Sequence, residues 1–170
     1  MPGAVGGTLS MNSVVFDAPP ATTPIPLDFV NFQYTIVIDG LVLDVDGMTQ
    51  VYSGGTFTLY EDAATAADYA NGATFADGTA ILSGVITSLN RTMFTATLGT
   101  LNGFVDWTGG TRLNDIAPLD QLGWPILSGI SRRAADVQPG YDENWDGKVE
   151  PTQPIVGNES LSWSELKKLF

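Results

Sequence analysis

Residues 55–98 read GTFTLYEDAATAADYANGATFADGTAILSGVITSLNRTMFTATL, and this stretch decides the fold. Phe57 and Leu59 alternate with Thr56, Thr58 and Tyr60, the period-two pattern of a strand with one buried face. A polar excursion runs from Glu61 to Asn71, and Asp77-Gly78 then turns the chain. Two further β-like runs are expected at 79–89 and 92–98, separated at Asn90-Arg91. Strands following one another through short polar breaks form the centre of an antiparallel sheet.

Outward from this centre, residues 28–45 (DFVNFQYTIVIDGLVLDV) read as a hairpin. Val30, Phe32, Tyr34, Ile36 and Ile38 share a face, Asp39-Gly40 suits a two-residue type I′ turn, and Leu41, Leu43 and Val45 continue on the return strand. Asp44, Asp46 and Gly47 have a faint likeness to a calcium loop, but Asp46-Gly47 reads as another turn, and 49–53 leads into the central stretch. Residues 101–108 add a strand with Gly103, Val105 and Trp107 on one side, ended by Gly109-Gly110. Residues 8–16 alternate weakly, with Leu9, Met11, Ser13 and Val15 on one side, and are expected to pair at a sheet edge or with another chain. The following DAPPATTPIP, 17–26, is read as an extended tether, because proline has no N–H for a ladder.

Past residue 110 the alternation fades. Residues 115–122 suit one or two helical turns with Asp115 placed to cap them and Trp124-Pro125 to end them; 126–130 is a last short strand. Residues 158–170 (NESLSWSELKKLF) are expected to form an amphipathic helix. Ser162 and Glu165 make its capping box, and Lys167 and Lys168 suit its negative end.

Composition narrows the function. The 170 residues are 44% hydrophobic and 15% charged, a balance that folds as one domain with a core. Nineteen acids against seven bases give a net charge of −12, and Arg91 is the only base before residue 100. No basic face is available for nucleic acid or anionic lipid, and the acidity favours divalent cations. With no Cys and no His, disulfides, Cys/His zinc sites and Ser-His or Cys-His nucleophiles are excluded. No apolar run has the length of a membrane-spanning helix, and Met1-Pro2-Gly3 opens without the charged and apolar regions of a signal peptide.

Residues 142–153, DENWDGKVEPTQ, carry the one motif with ion chemistry. Asp142, Asn144 and Asp146 alternate, Gly147 follows, the Lys148 carbonyl is available, and Glu150 falls at the ninth position. That spacing supplies the first half of an EF-hand-type loop, so these five residues are the expected Ca²⁺ ligands; position twelve, a bidentate Glu in that motif, is Gln153. The same residues also suit an Asp-rich turn without an ion. Glu61-Asp62, Asp44 with Asp46, and Asp142 with Glu143 are the close carboxylate groups, read as solvated acids rather than a glycosidase pair. Trp107, Trp124, Trp145 and Trp163 are dispersed and read as packing residues. Arg132-Arg133 reads as a solvated doublet near acidic loops.

Three segments, FTLYEDAATAADYANGATFADGTAILSGVI, VDWTGG and GYDENWDGKVEP, together resemble the body of the PEP-CTERM class of exosortase-sorted Gram-negative surface proteins. The resemblance implies export and a role at the cell surface, in biofilm matrix or flocculation. Where that class carries Pro-Glu-Pro, an apolar helix and a basic tail, this chain has Ser-Glu-Leu-Lys-Lys-Leu-Phe.

The sequence therefore reads as an all-β protein, an antiparallel β-sandwich of jelly-roll-like or Ig-like type with a short C-terminal helix. Residues 1–26 form an N-terminal strand and Pro-rich linker, 27–140 the sandwich, and 141–170 the Ca²⁺ loop and helix. The expected function is that of a non-enzymatic extracellular structural or assembly protein, self-associating by exchange of the N-terminal strand. A calcium-dependent carbohydrate-binding module, with extracellular polysaccharide as partner, is the alternative. A small β-barrel hydrolase or isomerase is the third reading.

Overall fold

The alternation around Phe57 is realised in a computed structural model that describes residues 3–18 and 24–151. Its strands are β1 (Thr8–Val15), β2 (Gln33–Val45), β3 (Thr49–Ser53), β4 (Thr56–Asp62), β5 (Thr79–Met93), β6 (Leu98–Gly109), β7 (Trp124–Ser131) and β8 (Asn144–Val149). All eight lie in one antiparallel sheet. β3 and β4 form one path interrupted at Gly54-Gly55, paired along its length with β2 on one side and β5 on the other. The fold is all-β and antiparallel, as expected. Its two ends face each other as the layers of a sandwich do, so Tyr34, Leu41 and Tyr52 share a core with Leu101, Trp107 and Ile130. The connectivity is an up-and-down meander, in which spatial order follows chain order. The crossovers of a jelly roll or an Ig domain are not present among the described strands.

The structure corrects the expected hairpin at 28–45. β2 is a single strand that runs through Asp39-Gly40. A type I′ turn needs φ > 0 at both central residues. Gly40 has φ +73°, but no non-glycine described residue has positive φ, so Asp39 does not supply the other half. Instead the buried face shifts phase there: Tyr34 and Ile38 point inward before the break, Leu41 and Leu43 after it. β1 spans the same break with one residue fewer, pairing Leu9 with Leu41 and Met11 with Ile38. The neighbouring path shifts phase at Gly54-Gly55, between Tyr52 and Phe57. β5 does so at a bulge between Ile86 and Ser88, so that Leu82 and Ile86 are followed inward by Leu89 and Arg91. The three shifts lie side by side and crease the sheet.

That bulge also explains the misplaced break at Asn90-Arg91. β5 runs on to Met93, and the turn comes after it, closed by Phe94 N–H and Thr95 N–H donating to the Leu98 carbonyl. Arg91 looked like loop because it is charged; it is an inward-facing strand residue. In place of one or two helical turns over 115–122 there are two 3₁₀ turns, Leu113–Asp115 and Pro118–Gln121. Asp115 caps neither and pairs with Arg112 at 2.9 Å. β7 starts at Trp124 and includes Pro125, earlier than expected.

The sequence boundaries at 26 and 140 are not boundaries of the sheet. β1 and β8 are strands of the same sheet as the body. The described part of the proline-rich stretch is also anchored: Ile25 is buried in the core, and Arg112 donates to the Pro26 carbonyl at 2.8 Å. The excursion after β4 folds back over the outer face of β2, where the buried Thr35 hydroxyl donates to the Phe75 carbonyl at 2.7 Å. The helix expected at 158–170 lies outside the described residues, as does Gln153.

The crease makes a testable distinction between two adjacent glycines. Both have positive φ, +66° at Gly54 and +76° at Gly55, but only at Gly55 would a Cβ collide, at 2.8 Å from the Asp39 carbonyl oxygen and the Leu41 nitrogen. Gly54→Ala is expected to cost about 1 kcal/mol, for the backbone conformation alone. Gly55→Ala should cost at least about 2 kcal/mol more, from overpacking against main chain that cannot move aside. Urea denaturation of both variants checks this; equal midpoints would refute the crease as a packed feature.

Candidate functional site

Six reversals of direction separate β1 from β8, so the two outer strands run parallel. The core cluster and the clefts between them show that they also face each other. Residues 9–13 and 140–145 line a narrow end of about 200 Å³, and Met11, residues 13–18 and residues 145–151 a wide end of about 460 Å³. No ladder joins the two strands among the described residues. Asn12 Nδ2 donates to the Tyr141 hydroxyl at 3.0 Å, a side-chain contact where a backbone ladder would otherwise be needed. Tyr141 packs edge-on against Tyr69, with ring centroids 5.5 Å apart, and Tyr69 in turn against Phe75. Burial pushes the Tyr69 hydroxyl pKa up, while a hydrogen bond with the Val14 main chain pulls the other way. The tyrosines thus line the narrow end, while the wide end is bordered by apolar side chains.

The wide end is apolar. Met11, Val15, Ile36 and Leu59 line one wall, Trp145 and Val149 the other, with Trp107 and Trp124 at its base. The tryptophans that look dispersed in the sequence therefore gather here. Trp107 stacks edge-on against both Phe57 and Trp124, at 5.3 and 5.5 Å. Trp163 lies outside the described residues.

Beneath the narrow end sits the one buried ion cluster of the described sheet. Glu143, just before β8, accepts from Arg91 Nε at 3.0 Å and Nη2 at 2.7 Å, Arg132 Nε at 3.0 Å and Trp145 Nε1 at 2.7 Å. Arg91 Nη1 also donates to Gln50 Oε1 at 2.9 Å. The Arg91 and Glu143 side chains are each only 5% exposed. Burial pushes the Glu143 carboxyl up, but hydrogen bonds from Arg91 and Trp145, the Arg91 charge and the Arg132 hydrogen bond outweigh it, leaving its pKa below the ordinary value. Sequence reading passed over both residues, taking Arg91 as a strand break and Glu143 as a solvated acid. Arg132 has a defined partner here, while Arg133 is exposed.

The expected ion ligands are not gathered. The segment read as a loop is β8, paired with β7 from Asn144↔Ser131 to Val149↔Ile126. In a strand alternate side chains leave opposite faces, and same-face neighbours stand about 7 Å apart. Asn144, Asp146 and Lys148 share the outer face, opposite Trp145 and Val149, and so do not converge as an EF-hand loop makes them converge. Gly147 is a strand residue with no room for a Cβ against the Leu127 carbonyl. The Lys148 ammonium pairs with Glu150, and Asp142 lies in the segment leading to β8. No group of three or more acids placed to hold a metal occurs among the described residues. The other carboxylate groups are engaged locally. Glu61 accepts from the Tyr34 hydroxyl at 2.8 Å, Asp62 from the Ala64 and Thr65 amides, and Asp46 from Gln50. Among the described residues no helix is long and apolar enough to cross a membrane.

No protein family, characterised protein or solved structure matched the chain.

The buried cluster has a stability and a pH signature. Glu143→Gln leaves the Arg91 guanidinium buried without a counter-charge and is expected to cost about 3 kcal/mol or more. The folded-state pKa of Glu143 is lower than its unfolded value. Its contribution is therefore complete above about pH 4.3 and is lost as the pH falls through and below that value. Denaturant midpoints of wild type and Glu143→Gln from pH 7 to pH 3 check this: the gap should narrow on acidification, and a gap independent of pH would refute the assignment.

Proposed function

We propose that this chain is a non-enzymatic structural protein of the cell surface or extracellular matrix that self-associates by adding a strand between β1 and β8. The observation that carries the reading is the pair of parallel, unladdered outer strands facing each other across an apolar cleft. Edge strands present N–H and C=O groups that template pairing with another chain, and a strand running antiparallel to both would satisfy two edges at once. The exchange expected from the N-terminal strand takes a different form here: β1 pairs with β2 of its own chain from Thr8 to Val15, with Leu9 in the core, so the chain offers an acceptor slot rather than a free first strand. The acidic composition and the local engagement of Glu61 and Asp62 support a matrix protein over a carboxylate hydrolase.

Sedimentation velocity over a concentration series tests the reading. Higher-order species growing with concentration are expected, and a monomer that persists to millimolar concentration overturns it. Val15→Lys, which turns a charge into the open end of the cleft while its stem can snorkel outward, should keep the circular dichroism of the sheet and weaken association at least about tenfold, about 1.4 kcal/mol. Turnover of a polysaccharide that stops on mutating Glu61 or Asp62 would overturn the non-enzymatic part.

A further inference from the structure

We infer that the occupant of the cleft between β1 and β8 is the segment 152–170, and, resting on the assembly reading for its source, that it comes from a neighbouring copy. Two observations point to this segment, in a slot whose parallel walls accept a strand running antiparallel to both. The first is position and length. Glu150 and Pro151 themselves line the open end, so the segment begins at the rim of the cleft. Nineteen residues follow Pro151, able to span about 60 Å extended, against about 20 Å for the six residues of β8.

The second is pattern. A strand in this slot needs one face toward Met11, Val15, Trp145 and Val149 and the other toward water. Ser160-Leu161-Ser162-Trp163-Ser164 alternates in that sense, with Leu161 and Trp163 as the inward pair. The helical pattern read in the same region draws instead on Leu166 and Leu169, so a strand over 160–164 leaves those residues beyond the slot. β1 of another copy is the poorer donor. Its removal would undo a seven-pair ladder and expose Leu9, and it would open a second gap beside β2. A tail passed from each copy to the next is a head-to-tail contact that does not close, which generates a filament.

Amide hydrogen exchange on the full chain, read by NMR alongside sedimentation, tests this against a Leu161→Ser/Trp163→Ser variant. Both substitutions lie outside the described residues, and the circular dichroism of the variant checks that the sheet is kept. The expected result is that the outward amides of β1 and β8 slow about a hundredfold as the protein assembles, the effect of an occupant at about a hundred times its Kd. The variant should lose both the protection and the assembly. Protection that is independent of concentration and lost in the variant supports the segment but places it in its own chain's cleft, which overturns the assembly reading. Assembly and protection that survive in the variant overturn the segment and leave assembly standing. Free exchange of both edges in a monomer at every concentration overturns both.

Discussion

The contact on which the curled sheet depends is the Arg91–Glu143 pair. Arg91 sits on β5, in the middle of the strand order, and Glu143 at the threshold of β8, at its end. A meander alone fixes only neighbours, and nothing in the ladders brings β8 round to face β1. A bidentate guanidinium–carboxylate pair inside the sheet does so, because its geometry is directional and neither charge can be left alone in the interior. Trp145 and Arg132 complete the oxygens of Glu143, while Gln50 extends the network to β3. The pair therefore ties the threshold of β8 to β5 and, through Gln50, to β3.

The crease does the complementary work on the other side. Phase shifts at Gly40, at Gly54-Gly55 and at the bulge after Ile86 let three long strands turn a new face inward halfway along their length. Without them, Arg91 and Leu89 would point to solvent while Leu82 and Ile86 pointed inward, since both sets lie on one strand but on opposite parities. The buried ion pair is thus possible only because the backbone breaks its own alternation. Glycine supplies two of the three breaks, at the positive φ that other residues avoid.

This coupling explains what could be read from the sequence and what could not. The class and most strands were legible because Phe57, Trp107 and Val105 alternate cleanly. The inward sets of β2 were legible as well: Tyr34, Ile36 and Ile38, then Leu41 and Leu43. Their phase shift, however, has the same signature in one dimension whether the chain reverses or merely flips faces at Asp39-Gly40. Only the conformation of Asp39 separates the two, and it is not encoded in the pattern. The site was the least legible part. Arg91 and Glu143 stand 52 residues apart, and a lone charge in a strand reads locally as a break. The DENWDGKV motif has two readings for the converse reason: alternating oxygen-bearing residues suit a calcium loop, but they suit equally well the outer face of a strand whose inner face is Trp145, Gly147 and Val149.

The outer strands show how an open edge can be tolerated. β-Sheet proteins blunt their edges with charge, proline or bulges. β1, TLSMNSVV, has neither charge nor proline, and its one irregularity, opposite Asp39-Gly40, is set by the crease in its neighbour. β8 places Asp146 and Lys148 on its outer face but keeps Trp145 and Val149 toward the cleft. Facing each other, the two strands shield with their own curvature what either would expose if the sheet were flat. The tyrosine cluster packs at the narrow end, and the wider end opens beside Val15 and Pro151. Curvature, rather than a charged or proline-blocked edge, sets β1 and β8 face to face without a ladder between them among the described residues.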